Sequence, residues 1–166
     1  MLDLGEPHAE TVSFFSGFRV RLGIASLIPA LAGLDAEEDE ARLRRYLETL
    51  LPDRLAGGAQ VVLAWDLLNY LQPRVITALM ARLGELLPRG ALVHGFVAYG
   101  IKTLPVKPRV LVLRPDGWLA TMPERDTATR PAPRYTTGEL QRLMPAFRVD
   151  RAILLRDGMQ EYLFRR

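Results

Sequence analysis

Short apolar segments alternate with amphipathic helical segments along most of this chain, and that alternation is what most restricts the folds open to it. Two of the segments, Val61–Trp65 and residues 91–97, are apolar almost throughout, which predicts strands buried on both faces of a sheet. Between them, Pro73 predicts the start of a helix whose apolar positions recur every three or four residues. Strands that alternate with helices predict a parallel sheet with helices on both faces.

Further strand segments complete the predicted sheet. Residues 1–5 form an apolar stretch with one aspartate that ends in glycine, and residues 19–24 alternate apolar and polar positions as a half-exposed strand does. Near the C-terminus, residues 148–164 contain two strand segments around Asp157-Gly158, a strong signal for a two-residue hairpin turn. The sequence therefore predicts an α/β fold with a mostly parallel sheet and a C-terminal antiparallel β-hairpin.

Two helix starts are predicted by an N-cap residue followed three positions later by glutamate. Asp35 with Glu38 precedes a segment whose apolar residues at positions 43–51 fall on one helical face. Thr136 with Glu139 precedes a shorter amphipathic segment near the end of the chain. We expect both Asp35 and Thr136 to be N-cap residues.

Residues 100–134 lack this periodicity and hold six of the 12 prolines. Within them, residues 109–113 and 118–120 flank a Pro-Asp-Gly turn signal and predict a small hairpin. We interpret residues 1–166 as a single domain with a Pro-rich insert at residues 100–134. The insert and its Trp118 are candidates for a substrate lid or a partner-binding surface, because long loops often carry function.

The composition excludes several kinds of site. Without cysteine the chain has no disulfide, no Cys-ligated zinc and no iron–sulfur cluster, and with only His8 and His94 we expect no metal site. The longest apolar stretch is too short to span a bilayer, and the N-terminus lacks the layout of a signal peptide. We therefore expect a cytoplasmic protein without a membrane partner.

Charge is distributed unevenly along the chain. Residues 1–60 carry 6 basic and 10 acidic residues, a net charge of −4, whereas residues 101–166 carry 13 and 7, a net charge of +6. The C-terminal arginines are interspersed with carboxylates, and no basic stripe with interleaved aromatic residues is present. Nucleic-acid binding is therefore the least favoured function.

The candidate catalytic residues follow the strand Val61–Trp65 directly. Asp66, Asn69 and Tyr70 lie just beyond its carboxyl end, where ligands bind in open α/β sheets. Two interpretations of Asp66 carry equal weight: a carboxylate that orients an amine or acts as a base, and a structural cap of a helix or turn. Tyr70 is the one of the three that we expect to serve mainly in packing.

Three segments resemble the class I S-adenosylmethionine-dependent methyltransferases: residues 2–5 (Leu-Asp-Leu-Gly), residues 61–71, and residues 86–92 (Leu-Leu-Pro-Arg-Gly-Ala-Leu). They are similar, in order and spacing, to the first strand, the fourth strand with its loop, and the entry to the fifth strand of that family. The resemblance implies a Rossmann-like fold, S-adenosylmethionine as cofactor and methyl transfer as activity. The positions at which it implies cofactor contacts are Asp3, Gly5, Glu6, Ala25 and Trp65.

The chain departs from the family pattern in three places. The family's first loop is roughly G-x-G-x-G, but residues 5–9 read Gly-Glu-Pro-His-Ala. The family has an acidic residue at the end of its second strand, but residues 24–26 read Ile-Ala-Ser. Its third strand has no clear counterpart, which would make the second strand a sheet edge. The resemblance is therefore to a degenerate member, for which S-adenosylmethionine is a possible but doubtful cofactor.

Three functions remain open at this point. The first is a methyltransferase-like domain with a degraded cofactor site that binds a protein partner, or a second copy of itself, through the insert or the edge strand. The second is an active methyltransferase on an unknown substrate, since methyl transfer depends mainly on alignment and needs few catalytic groups. The third, a nucleic-acid-binding module, ranks last.

Overall fold

The computed structural model describes residues 1–122 and 128–166. Part of the proposed insert, including Pro123, lies outside the described residues. No helix in the described ranges is long and apolar enough to cross a membrane.

The strands are β1 (Leu2–Asp3), β2 (Gly23–Ile24), β3 (Val61–Trp65), β4 (Leu92–Ala98), β5 (Thr103–Pro105), β6 (Leu111–Leu113), β7 (Leu119–Thr121), β8 (Thr129–Pro131), β9 (Arg148–Leu154) and β10 (Met159–Arg165). The helices are α1 (Ala9–Ser16), α2 (Leu31–Ala36), α3 (Glu40–Leu50), α4 (Asp53–Ala56), α5 (Pro73–Leu86) and α6 (Thr137–Leu143), with short 3-10 helices at Ile28–Ala30 and Leu67–Tyr70.

Six strands form the central sheet in the order β2-β1-β3-β4-β10-β9. The pairs β1–β2, β1–β3 and β3–β4 are parallel, whereas β4–β10 and β10–β9 are antiparallel. The hairpin turn between β9 and β10 holds Gly158 at φ +82°, a conformation that glycine adopts readily. The predicted α/β class, the interior position of Val61–Trp65 and the C-terminal hairpin are confirmed. Within the described ranges β2 is an edge strand, as expected if the family's third strand is missing.

Several predicted element boundaries are wrong. Strand β2 covers only Gly23–Ile24 instead of residues 19–24, because only these two residues pair with β1. Asp35 lies inside the short helix α2 and does not cap a helix. The N-cap of α3 is Asp39, whose carboxylate accepts a hydrogen bond from the Arg42 amide. The capping box at Thr136 is confirmed.

Two hydrophobic clusters lie on opposite faces of the sheet. Successive residues of β3 belong to different clusters, Val62 to the larger and Leu63 to the smaller, as expected for side chains that alternate along a strand. Helices α3, α5 and α6 pack residues into the larger cluster, and Phe15 of α1 packs in the smaller one. Helices therefore cover both faces of the sheet, as predicted.

The insert packs against the smaller cluster. Its strands form two small antiparallel pairs, β5–β8 and the predicted hairpin β6–β7. Leu104 and Leu111 are buried among Phe15, Trp65 and Met159. The Pro-rich composition hides this contribution because the buried residues are too few and too irregularly spaced to form a periodic pattern.

Candidate functional site

Five of the sequence-predicted residues lie at the carboxyl ends of two neighbouring strands: Asp3, Gly5, Glu6, Trp65 and Asp66. Asp3 ends β1 and pairs in register with Leu63 of β3, two residues before Trp65. Because β1 and β3 are parallel, the loops that follow them leave the sheet at the same edge. One small cavity is consequently lined by residues of the loop after β1 together with Trp65 and Asp66.

Asp3 is buried and its carboxylate is occupied. Its Oδ1 atom accepts a hydrogen bond of 2.8 Å from the Gly5 amide and one of 2.6 Å from Trp65 Nε1. Burial raises the pKa of Asp3 above its ordinary value of 3.8, although both hydrogen bonds favour the charged form and act in the opposite direction. The first predicted cofactor residue therefore holds the Trp65 indole in place.

Among the residues that the structure describes, Trp65 is the one residue other than glycine whose φ is positive, at +51°. A register shift between β3 and β4 occurs at the same point, between Leu63 and Trp65. This irregular backbone turns the indole over Gly5 so closely that a Cβ atom on Gly5 would lie 2.4 Å from Trp65 Cδ1. A positive φ at a bulky residue is strained, so the hydrogen bond to Asp3 and the burial of the ring must offset that cost.

Little space remains beside the indole. The cavity at this edge has a volume of about 10 Å³ and is lined by residues of the first loop, the β3 loop and the insert. That volume is about enough for one water molecule. Glu6 lies at its border with an exposed side chain. Ala25 is buried, and its amide donates to the Asp3 carbonyl, so it continues the pairing of β2 with β1.

Asp66 is buried and paired with an arginine of the insert. Its Oδ2 atom accepts hydrogen bonds from the Arg109 side-chain Nε at 3.1 Å and from the Arg109 backbone amide at 3.3 Å. Burial raises the pKa of Asp66 above 3.8, and the charge and hydrogen bonds of Arg109 oppose that rise. The carboxylate thus fastens the insert to the end of β3.

Asn69 joins the β3 loop to the end of β4. Its side-chain amide donates to the carbonyls of Asp66 at 2.8 Å and Phe96 at 2.9 Å, and its Oδ1 accepts from the Ala98 amide at 2.8 Å. Both amide hydrogens are therefore used, and the side chain is 1% exposed. This arrangement makes Asn69 a bridge between two strand ends.

Tyr70 is also buried, and the Arg130 guanidinium of β8 lies 5.7 Å from the centre of its ring. That distance is typical of a cation–π contact. Together with Arg109, Arg130 brings a second part of the insert onto the loop that follows β3. Sequence reasoning missed both arginines, because no local pattern sets them apart from the other basic residues of the C-terminal part.

Helix α1 completes the surroundings of the site. His8 caps its start, with Nδ1 accepting from the Glu10 amide at 3.3 Å, so that ring is engaged within the loop. Thr11 is buried, and its hydroxyl accepts from the Leu113 amide of β6. In residues 1–122 and 128–166 there is no group of three or more acidic or histidine side chains placed to hold a metal ion.

Comparisons with known proteins give similarity in fold without similarity in sequence. No protein-family model matches the chain, and no curated protein matches it. Among solved structures, the pyocyanin biosynthetic protein PhzM is similar over 99% of this chain and 49% of its own, at 12% identity and a TM-score of 0.52. This chain thus spans about half the length of that relative.

Two further structures extend the comparison to named methyltransferases. The Burkholderia thailandensis 1,6-didemethyltoxoflavin-N1-methyltransferase, solved with S-adenosylhomocysteine, is similar over 99% of this chain and 69% of its own, at 17% identity and a TM-score of 0.52. The glycopeptide N-methyltransferase MtfA, solved with S-adenosylmethionine, is similar over 98% of this chain and 85% of its own, at 15% identity and a TM-score of 0.51. The sheet order, the C-terminal hairpin and these similarities together show that the chain has the class I methyltransferase fold.

Proposed function

We propose that this chain is a methyltransferase-like domain whose cofactor site is filled by its own Trp65, and that it acts as a non-catalytic, protein-binding domain. The observation that carries the proposal is the contact between the Trp65 indole and Gly5, backed by the 2.6 Å hydrogen bond to Asp3. In the family that the chain resembles, the backbone at this glycine approaches the cofactor. Here a side chain of the protein covers it.

The volume of the site supports the same conclusion. Pockets for small molecules and cofactors usually have volumes of about 300–1,000 Å³. The cavity beside Gly5 has about 10 Å³, so the described residues do not fit S-adenosylmethionine in this conformation. The end of β2 adds no acidic side chain for a ribose, since Ala25 and Ser26 occupy those positions.

The candidate catalytic side chains have structural partners as well. Asp66 is paired with Arg109, and Asn69 is saturated by backbone groups. A base for methyl transfer would have to reach a bound substrate. The Asp66 side chain is 1% exposed, and Arg109 of the insert, which is 22% exposed, lies between it and the solvent. These contacts favour a structural role for both residues.

Titration calorimetry with S-adenosylmethionine and S-adenosylhomocysteine tests the proposal. We expect no saturable heat with either compound. A dissociation constant in the low micromolar range, which corresponds to a binding free energy of about −8 kcal/mol, would instead support the active methyltransferase. Because the chain has two tryptophans, Trp118→Phe leaves Trp65 as the sole indole fluorophore. Its emission should not change when S-adenosylhomocysteine is added.

For the partner, the insert offers the most exposed large side chain among the described hydrophobic residues, Trp118 at 73%. Trp118 follows the turn between β6 and β7, with Leu119 and Met122 also exposed after it. Exposed tryptophans are frequent anchors in protein interfaces. We propose that this hairpin binds a second copy of the chain or another protein.

Sedimentation velocity tests self-association through that hairpin. We expect Trp118→Ser to lower the sedimentation coefficient of concentrated protein, whereas Leu154→Ser on the edge strand β9, also exposed at 59%, should leave it unchanged. A wild-type protein that sediments as a monomer at every concentration would contradict self-association. An equal effect of both substitutions would contradict the assignment to the hairpin.

A further inference from the structure

Strand β2 leaves one edge of the central sheet open in the part of the chain that the structure describes. The amides of Gly23 and Ala25 donate to backbone carbonyls in and beside β1. Because successive amides of an extended segment point in opposite directions, those of Ile24 and Ser26 point away from β1. Neither amide has a hydrogen-bond partner among the described residues. These free backbone groups can pair with one more strand.

A groove beside the start of β2 contains the side chain of Arg21. The volume of this groove is about 180 Å³, and Arg21 is the one charged side chain among its lining residues. Leu55 of α4 borders the groove and lies close to β2, since a Cβ atom on Gly23 would be 3.1 Å from the Leu55 carbonyl. A carboxylate side chain can enter the groove and accept hydrogen bonds from the guanidinium.

Arg21 lacks an acidic partner in the described part of the chain. Residues 11–34 contain Arg19 and Arg21 but no acidic residue. No carboxylate oxygen of the described residues lies within 4.0 Å of a side-chain nitrogen of either arginine. The single acidic residue of the neighbouring α4, Asp53, is paired with Arg82 at 2.5 Å. The edge at β2 therefore carries positive charge that a partner can neutralise.

Apolar residues alternate with these arginines along the chain. Val20 is 43% exposed, and Leu22 is half-buried against the smaller hydrophobic cluster. Side chains alternate between the two faces of a strand, and side chains directly opposite each other in paired strands share a face. A segment that pairs with β2 therefore meets arginine on one face and apolar side chains on the other.

We propose that the free edge of β2 binds an extended segment of a partner protein in which acidic and apolar residues alternate. The backbone of the segment pairs with Ile24 and Ser26, its acidic side chains bind Arg21, and its apolar side chains cover Val20. A second copy of this chain fits the edge less well, because pairing through residues 11–34 brings two further arginines and no carboxylate. This surface consists of other residues than the hairpin that holds Trp118, and it goes beyond the function proposed above.

Fluorescence anisotropy with the full chain and the fluorescein-labelled peptide GVEVEVEG tests the proposal. We expect saturable binding at physiological ionic strength. The control peptide GVVVEEEG has the same composition and charge without the alternation. In GVEPEVEG a proline replaces the central valine and removes a backbone donor. We expect each of these two peptides to bind at least about tenfold more weakly than GVEVEVEG.

Arg21→Glu should weaken binding of GVEVEVEG by at least about tenfold, because repulsion replaces a charge-assisted hydrogen bond. Arg156→Glu makes the same charge change at an exposed arginine in the turn between β9 and β10, and its affinity should stay within about twofold of the wild type. Ile24→Pro removes a free amide without removing a hydrogen bond to β1, so it should weaken binding as well.

Near-ultraviolet circular dichroism of each variant must match that of the wild type, so that a change in anisotropy reports binding and not partial unfolding. If Ile24→Pro does not fold, Arg21→Glu decides, since Arg21 is exposed. Trp118→Ser should bind GVEVEVEG as tightly as the wild type does. Loss of binding in Trp118→Ser would place the peptide on the hairpin and overturn the assignment to β2, so the two surfaces can be told apart.

Equal affinity for GVEVEVEG and GVVVEEEG would also overturn the proposal, because charge alone would then explain the binding. Unchanged binding in Arg21→Glu, or no saturable binding to the wild type, would do the same. A wild-type dimer that dissociates in Arg21→Glu would assign the edge to a second copy of the chain instead.

Discussion

The Nε1 atom of Trp65 donates a 2.6 Å hydrogen bond to Oδ1 of Asp3, a residue 62 positions earlier in the chain. The bond ties the carboxyl ends of β1 and β3 together at the place where a methyltransferase-like fold would be expected to hold its cofactor. Replacement of Trp65 by Phe removes the donor and keeps most of the ring. Of its donors in the described part of the chain, Asp3 then retains the Gly5 amide.

We expect Trp65→Phe to lower the free energy of unfolding by about 1–3 kcal/mol, because a buried carboxylate loses a hydrogen bond. Urea denaturation measures the change. Trp118→Phe is the matched control, since Trp118 is 73% exposed, and we expect it to stay within about 0.5 kcal/mol of the wild type. Equal effects of the two substitutions would show that the bond to Asp3 contributes little.

Gly5→Ala tests the closeness of the indole to the first loop. The new Cβ would lie 2.4 Å from Trp65 Cδ1, so the ring must move, and we expect a loss of about 1–3 kcal/mol in unfolding free energy. The same substitution made on a Trp65→Ala background should cost much less, because the clash is then gone. Gly138→Ala, whose Cβ would have only the Arg142 side chain at 3.9 Å, should be neutral or stabilising by up to about 1 kcal/mol.

Asn69→Ala should be among the most destabilising single changes in the β3 loop. It removes three buried hydrogen bonds and leaves the Phe96 carbonyl and the Ala98 amide without that partner. We expect a loss of about 2–4 kcal/mol in unfolding free energy, measured by urea denaturation. Asn69→Asp should not rescue stability, because a carboxylate can accept from Ala98 but is repelled by the Phe96 carbonyl. Wild-type stability in either variant would remove Asn69 from the structural account.

The pH dependence of stability should depend on Asp66. Because burial raises the folded-state pKa of Asp66 above 3.8, the folded protein retains its proton at pH values where the unfolded chain has released it. The stabilisation from this group is therefore fully present below pH 3.8 and is lost as the pH rises through the raised pKa. Because the charge and hydrogen bonds of Arg109 lower the pKa of Asp66, they narrow the pH range over which this stabilisation is lost.

Asp66→Asn removes this titration, so the variant's unfolding free energy should decline less than that of the wild type as the pH rises above 3.8. Urea denaturation at several pH values measures the difference. Asp116→Asn, at an exposed turn of the insert, serves as the control and should follow the wild-type profile. Parallel profiles for Asp66→Asn and the wild type would contradict a raised pKa at Asp66.

The insert should contribute to the stability of the whole domain. Leu104→Ala removes a side chain that is 2% exposed and packs in the smaller hydrophobic cluster, so we expect a loss of about 2–4 kcal/mol. Leu119→Ala, 40% exposed in the same insert, should cost less than about 0.5 kcal/mol. Thermal unfolding that is unaffected by Leu104→Ala would mean that residues 100–134 fold separately from the sheet.

Local sequence patterns predicted the elements whose stability comes from neighbouring residues. The apolar segment Val61–Trp65 is an interior strand, Thr136 caps α6 through Glu139, and Asp157-Gly158 forms the last turn. In each case the interactions that select the conformation involve residues a few positions apart, or the burial of one continuous segment. A pattern in the sequence is then sufficient.

The sequence predicted where the candidate site lies in the sheet but not which contacts its residues make. The sequence located Asp3, Gly5, Trp65 and Asp66 at one edge of the sheet, because parallel strands end together there. Only the tertiary structure decided that the indole of Trp65 covers Gly5 and that Arg109, 43 residues after Asp66, pairs with its carboxylate. Those contacts depend on a register shift in β3 and on how the insert folds back, and both are set by packing between distant segments, which no short-range pattern records.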